Sequence, residues 1–285
     1  MTRVEPRRLL QEWQLALPLS LFFVAFVFLP LAMLGYISLH EDTQMKESGV
    51  GQYVKFFGDA FNVGVLVQTL WLALRTTLLA LLIGYPLAYL YTLAPRRMQH
   101  ILILLIVLPL LTSAVVRTFA WVVILGRQGI VNEALLALGW IETPAKLLYQ
   151  PWAVVVALAQ IEMPLMVLPL ITALSNIDPH LREASEALGA RRWRTFLQVT
   201  LPLSMPGLLA GCLLVFAASA SAFVTQTLVG GGQHMFMPFY IYQQAIQSNN
   251  YPFAATVAVV LLVSVLIIVT AANLLGRRSK AFVHV

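Results

Sequence analysis

The sequence predicts an all-α membrane protein of six transmembrane helices with both termini in the cytoplasm, and three observations predict it. Of 285 residues, 60% are hydrophobic and only 11% charged, at a mean hydropathy of +0.83, whereas a soluble domain carries roughly 25% charged residues. Several runs without charge reach the ~20 residues that cross a hydrocarbon core of ~30 Å. The short alternating segments of a membrane barrel are absent, and a backbone inside a bilayer must satisfy its own hydrogen bonds, so the spans read as helices.

Residues 1–14 form a basic N-terminal segment with Arg3, Arg7 and Arg8. Leu15 to Leu39 has one charge-free run, too long for a signal-peptide core and without a small-x-small cleavage site, and is read as the first span. Further spans are expected at Gln68 to Ala94, Ile101 to Leu125 and Trp152 to Leu174. The 82 residues between Arg194 and Arg277 contain no Asp, Glu, Lys or Arg. They hold two more spans, Leu203 to Leu228 and Pro252 to Gly276, split by the turn Gly230-Gly231-Gly232 and a polar stretch to Asn250. The membrane domain is thus 15–276, followed by a tail at 277–285. Cys212 is the only cysteine; it reads as a small core residue, leaving no intramolecular disulfide and no cysteine metal site.

Orientation follows from charge. With the N-terminus inside, inner segments hold Arg3, Arg7, Arg8, Arg96, Arg97, Arg182, Arg191, Arg192, Arg194, Arg277, Arg278 and Lys280, twelve in all, against Lys46, Lys55, Arg127 and Lys146 outside. Basic residues concentrate on the cytoplasmic side of membrane proteins, so the net charge of +6 is topological and not a nucleic-acid footprint.

The largest inner loop runs from Ser175 to Pro202. Asp178 is placed to cap a helix that begins at Pro179 and carries Arg182, Glu183 and Glu186, with Leu181, Ala184, Ala187 and Leu188 as its apolar residues. Gly189 permits a bend. A second helical run over Ala190 to Thr200 carries Arg191, Arg192 and Arg194 with Trp193, Phe196 and Leu197, and Pro202 is expected to start the next span. Two short amphipathic helices at a membrane surface suit docking into a partner's groove, or lying against anionic lipid.

Glu183-Ala184-Ser185, three residues, Gly189, nine residues and Val199-Thr200-Leu201-Pro202 resemble the EAA loop of ATP-binding-cassette importer permeases, with Ser185 and Val199 as departures. The resemblance implies a type I permease fold whose coupling helix sits in a cleft of a cytoplasmic ATPase. Glu183, Ala184, Ser185, Gly189, Ala190 and Arg191 would lie at that contact. Leu108-Pro109, Thr112-Ser113, Arg117 and Trp121 resemble a run in permeases of the spermidine/putrescine type, as do Pro164, Met166-Val167-Leu168-Pro169, Gly211 to Val215 and Leu228 to Gly231. Several members of that group have an acidic residue where this chain has Ala222 and an aromatic one where it has Glu162. The resemblance implies a second, similar permease, a homodimeric ATPase that binds ATP and Mg, a periplasmic solute-binding protein, and a place in the bacterial inner membrane. Putrescine or spermidine would be the solute. The same importer class for an aminoalkylphosphonate, opine or amino-acid derivative is the alternative, and a lone secondary transporter or channel is the alternative of a different class.

No enzyme chemistry is legible. None of Lys46, Lys55, Lys146 and Lys280 follows a glycine, so there is no phosphate loop; His40-Glu41 is followed by Gln44 where H-E-x-x-H needs histidine; no G-x-S-x-G is present. No catalytic residue, cofactor or metal is therefore expected in the chain.

Three charges interrupt the spans: Arg75, Arg117 and Glu162. Arg75 and Arg117 come near the outer ends of their spans, where long side chains snorkel to water, and Arg117 can alternatively shape a gate or pack on a neighbour. Glu162 lies roughly 15 Å deep, where an unpaired charge facing lipid costs on the order of 3 kcal/mol. It either attracts a cationic solute or serves as a structural pair or protonated hydrogen-bonding group. Gln160, Thr225, Gln226 and Thr227 can add hydrogen bonds to a pathway or join helices. Pro86, Pro109, Pro164, Pro169, Pro202 and Pro206 would kink or end helices, and Gly207 with Gly211 would bring two helices close.

Overall fold

A computed structural model describes residues 18–280, with side chains over 18–276. The N-terminal segment 1–14 with its arginines, the expected start of the first span, and residues 281–285 of the tail lie outside the described residues. Among those residues the chain is helical throughout, apart from turns and one isolated bridge between His40 and Ser48.

The helices are α1 (Pro18–Ser38), α2 (Gly51–Gly58), α3 (Ala60–Leu93), α4 (Arg96–Val107), α5 (Ala114–Leu125), α6 (Ile130–Ala137), α7 (Pro151–Ile161) and α8 (Met163–Ser175). They continue with α9 (Pro179–Ala187), α10 (Arg192–Ala220), α11 (Phe223–Gly230), α12 (Met237–Tyr242) and α13 (Tyr251–Lys280). By length and composition, five stretches can cross a membrane: α1, α3, α5 together with α6, α10 and α13. The bent pair α7–α8 makes a sixth if counted as one span.

Prolines and short polar residues account for most departures from the expected spans. Ile101 to Leu125 is not one helix. Pro109 has no N–H, the chain tightens into a 3₁₀ turn over Leu108–Leu111, and Ser113 Oγ caps a new helix by accepting from Val115 N at 3.3 Å. The apolar candidate here is instead Ala114–Ala137. Trp152 to Leu174 bends by 46° between Ile161 and Met163, ahead of Pro164. Leu203 to Leu228 is also two helices, because α10 ends at Ala220 and α11 begins at Phe223. The second expected span begins earlier, at Ala60, where Asp59 Oδ1 accepts from Phe61 N at 2.9 Å.

Pro202 lies in the first turn of the α-helical stretch Leu201–Ala220, but no separate span begins there. The helix runs through it from Arg192 to Ala220 because a π-helical turn over Phe196–Thr200 precedes it. Leu201 N–H reaches back five residues to the Phe196 carbonyl, widening the backbone where the proline ring would otherwise strike the preceding turn. The same device stands at Val24–Phe28, ahead of Leu29-Pro30 in α1. The polar stretch to Asn250 contains α12 and a π turn over Gln243–Gln247; α2 and α6 were likewise not expected.

The structure divides into two compact units. Within the first, 18–62 with 240–260, Tyr240 Oη donates to Asn62 Oδ1 at 2.7 Å, Thr256 Oγ1 donates to the Ser38 carbonyl at 3.2 Å, and Lys55 Nζ lies 4.9 Å from the centre of the Phe253 ring. The second unit, 63–239 with 261–280, centres on α7 and α8, apolar on nearly every face and mostly buried. Helix α10 lies directly on α8: a Cβ on Gly207 would run into Ala173 and the Pro169 carbonyl, and one on Gly211 would meet the Met166 carbonyl at 2.9 Å. Gly84 brings α3 against the same helix, since its Cβ would meet Met166 Cγ at 2.9 Å. Next to it, Tyr85 Oη and Ser204 Oγ share a hydrogen bond of 2.9 Å.

Candidate functional site

Two places in the second unit carry the residues singled out by sequence. The first is the corner between α9 and α10. Asp178 caps α9 as its position requires, accepting from His180 N at 2.9 Å, with Pro179 in the first turn. Its end is a Schellman turn: Gly189 takes φ +80°, its N–H bonds to the Glu186 carbonyl at 2.9 Å, and Ala190 N–H bonds to the Ser185 carbonyl at 3.1 Å. Ala190 and Arg191 then form the extended link, and the Arg191 carbonyl accepts from Arg194 N and Thr195 N as α10 begins. A side-chain brace crosses the corner, Ser185 Oγ to Thr195 Oγ1 at 3.0 Å.

No residue of α9 is buried. Glu183 faces solvent within 3.3 Å of His180 Nδ1, Ala184 is exposed beside it, and at the tip Leu188 is 89% exposed. Behind the corner, Phe196 sits edge-on to Tyr85 and Tyr89 and stacks on Trp193. A cavity of about 250 Å³ there is lined by Tyr89, Arg182, Glu186 and Arg192 among others, with the Arg182 guanidinium 5.6 Å from the Tyr89 ring centre.

The second place is the bend between α7 and α8. Glu162 is the junction residue, ending one helix and preceding the other, so it does not lie within a continuous helix. Arg117, in the first turns of α5, turns inward and donates from Nη1 to the Ile161 carbonyl at 2.8 Å. That bond packs Arg117 against the neighbouring α7. Trp121, one turn further along α5, donates from Nε1 to Gln160 Oε1 at 3.1 Å. Arg75 is exposed and covers the Trp71 ring at 4.9 Å.

Thr225 and Gln226 are buried in α11 but lie in a different set of bonds. Thr225 Oγ1 meets Thr118 Oγ1 at 2.8 Å, and Gln226 Nε2 donates to the Ser219 carbonyl at 2.7 Å, pinning the break between α10 and α11. Thr118, Ser219 and Thr195 were not singled out by the sequence, and Trp121 was named there for its family likeness. Of the first three, only Thr118 carried a signal, lying beside Arg117. Among the described residues, no group of three or more His, Cys, Asp or Glu side chains could hold a metal.

Residues 15–280 match the family of binding-protein-dependent transport system inner membrane components. The chain belongs to that family. This permease is 34% identical over 244 residues, 84% of its length and 88% of the relative's, to the spermidine/putrescine transport system permease protein PotB of Escherichia coli. It is 29% identical over 199 residues, 70% of its length and 69% of the relative's, to a putative 2-aminoethylphosphonate transport system permease protein of Salmonella paratyphi A. Its fold resembles that in the crystal structure of a bacterial ABC transporter involved in the import of the acidic polysaccharide alginate, with a TM-score of 0.76 at 21% identity, covering 95% of the permease and 96% of that chain. A second structure of the alginate transporter, in complex with a periplasmic protein holding an alginate pentasaccharide, gives a TM-score of 0.75 at 21% identity and the same coverage. The permease therefore has the ABC-importer fold, and its relatives are transport proteins, not enzymes.

Proposed function

We propose that this permease forms half of the translocation pathway of an ATP-driven bacterial importer of polyamines such as putrescine or spermidine. A second permease of similar fold supplies the other half. A homodimeric ATPase, binding ATP and Mg, docks on the α9–α10 corner, and a periplasmic binding protein delivers the solute. The excess of basic residues on the α9 side of the spans supports cytoplasmic termini and a cytoplasmic corner. The observation that carries coupling is the corner itself: no residue of α9 is buried, yet the Schellman turn and the Ser185–Thr195 bond tie it to α10. Since α10 continues without interruption to Ala220 and lies on α8, movement imposed on Glu183, Ala184 or Gly189 by a closing ATPase would pass into the helices beside Glu162. In the cycle, ATP binding draws the corners together and opens the pathway outward, and hydrolysis resets it.

The solute assignment is supported by the named polyamine relative and by the placement of a carboxylate at the bend. The test is ATPase activity of the complete complex in lipid, with the binding protein loaded in turn with putrescine, spermidine, 2-aminoethylphosphonate or a non-amine. Stimulation by a loaded polyamine is expected; stimulation by the phosphonate alone would keep the importer and replace the solute.

A further inference from the structure

Behind the α9–α10 corner lies a cationic cavity that opens onto an apolar groove. The cavity, about 250 Å³, is lined by Arg182 and Glu186 of α9, Arg192 of α10 and Tyr89 from the last turns of α3. The Tyr89 ring holds the Arg182 guanidinium at 5.6 Å from its centre, yet Arg182 Nε is buried and has no hydrogen-bond partner. Among the described residues, neither arginine forms an ion pair with Glu186. A buried donor left open costs free energy, and a guanidinium fork matches a phosphate with two parallel hydrogen bonds. Two arginines against one carboxylate call for an anion that also carries a hydrogen-bond donor for Glu186.

Tyr89, Leu93, Arg192 and Phe196 also line the groove, a second space of about 400 Å³ whose remaining walls are Tyr85, Pro86 and Trp193. Apart from Arg192 its walls are aromatic or aliphatic. It is open at the surface, since Trp193 is 69% and Leu93 58% exposed. Depth follows from length. The span Arg192–Ala220 has 29 residues, about 43 Å at about 1.5 Å per residue, which matches a bilayer counted with its headgroups, about 40–45 Å. Arg192 and Trp193 at its start therefore stand at headgroup level, with Phe196 one turn deeper. An acidic side chain from a protein partner would satisfy the arginines and leave the groove open. An apolar partner helix would fill the groove and bury Arg192 without a counter-charge. A phospholipid fills both spaces, because it joins a phosphate to an acyl chain in one molecule.

We propose that the cavity and the groove form one binding site for an anionic phospholipid of the phosphatidylglycerol class, drawn from the leaflet on the α9 side. Its phosphodiester lies between Arg182 and Arg192, a headgroup hydroxyl donates to Glu186, and an acyl chain runs along Pro86, Leu93, Trp193 and Phe196. The lipid then bridges the end of α3 and the corner. That it steadies the corner during coupling rests on the importer reading; the lipid site itself does not.

Native mass spectrometry of the complete complex in detergent, titrated with dioctanoyl phosphatidylglycerol or dioctanoyl phosphatidylcholine, counts the lipids held and gives their affinities. The native complex should hold one more phosphatidylglycerol per copy of this permease than a complex carrying Arg182→Gln with Arg192→Gln. Phosphatidylcholine should bind about tenfold more weakly than phosphatidylglycerol, and Arg192→Gln alone should weaken phosphatidylglycerol about tenfold. Trp193→Ala, which opens the groove, should also weaken it, and inorganic phosphate should compete far less effectively than the lipid. Arg192 and Trp193 are both exposed, so these two variants decide the matter even if Arg182→Gln fails to assemble. Equal retention of the two lipids overturns the proposal, as does unchanged phosphatidylglycerol affinity in Arg192→Gln or in Trp193→Ala. Competition by inorganic phosphate as effective as by the lipid overturns it in favour of a free-anion site. Failure of the importer reading looks different: the lipid count would stand, while no loaded binding protein stimulated the ATPase.

Discussion

The hydroxyls of Ser185 and Thr195 meet at 3.0 Å across the corner that joins α9 to α10. Thr195 is buried, so the bond is not exchanged freely with water. Replacing Ser185 by Ala leaves the Thr195 hydroxyl buried without this partner, at a cost of about 1–3 kcal/mol, whereas removing both groups avoids much of that penalty. Ser185→Ala is therefore expected to lower the thermal stability of the purified complex more than the double change Ser185→Ala with Thr195→Val. The melting temperatures of the two variants check the order, and the reverse order would assign the corner's rigidity to its backbone alone.

Gly189 separates backbone strain from steric clash. Its φ is +80°, and a Cβ built there meets nothing within 4 Å. Any cost of substitution is then conformational, about 1–2 kcal/mol for a residue with a Cβ in the left-handed region and less for Asn. Gly189→Val should abolish most ATP-driven uptake at unchanged expression, Gly189→Ala should reduce it, and Gly189→Asn should stay near the native level. Uptake into proteoliposomes, normalised to incorporated protein, measures the series. Equal activity in all three would remove the corner from the coupling path.

The corner was legible because its determinants are local. Asp178, Pro179 and Gly189 each specify a cap or turn through atoms within a few residues, and all three do so here. Pro164 was legible as a place where a helix would kink or end, but not what its kink releases, since the group that takes up the Ile161 carbonyl is Arg117, 44 positions away in sequence. Pro202 misled for a related reason. A proline forbids one hydrogen bond, and composition does not reveal that a π turn at Phe196–Thr200 will absorb the loss and let the helix continue. Thr225 and Gln226 were visible as polar residues in an apolar segment, yet their partners Thr118 and Ser219 depend on how α10 ends.

The loop after α1 contains a carboxylate with a local task. Asp42 Oδ1 accepts from Lys46 N at 2.8 Å and Glu47 N at 3.1 Å, and the bond from Glu47 leads the causes that hold its pKa below 3.8. A depressed carboxylate stabilises the folded loop above the unfolded value and loses that contribution as pH falls through the folded one. Amide exchange at Lys46 and Glu47 should thus stay slow down to about the unfolded value and quicken below it, with no matching step in Asp42→Asn. Because the group is fully exposed, the melting temperature of the whole protein should show no such step.

Three glycines of similar surroundings in sequence should respond differently to one added methyl group. Gly64 in α3 has nothing within 4 Å of its built Cβ, so Gly64→Ala acts only through helix propensity and should be neutral or raise stability by up to about 1 kcal/mol. Gly211 faces Met166 Sδ and the Met166 carbonyl, both at 2.9 Å; the thioether can swing aside but the carbonyl cannot, so Gly211→Ala should lower stability moderately. Gly207 is pressed against the Pro169 carbonyl and the Ala173 methyl, neither of which has a side-chain torsion to relieve the overlap, so α10 must lift from α8. Overpacking of this kind costs about 1–3 kcal/mol, sometimes more. Melting temperatures should fall in the order Gly64→Ala, Gly211→Ala, Gly207→Ala. Since α10 also carries the corner to the bend, Gly207→Ala should weaken stimulation of the ATPase by the loaded binding protein even at temperatures where the complex stays assembled. Full stimulation in that variant would mean that close packing of α8 on α10 serves stability alone.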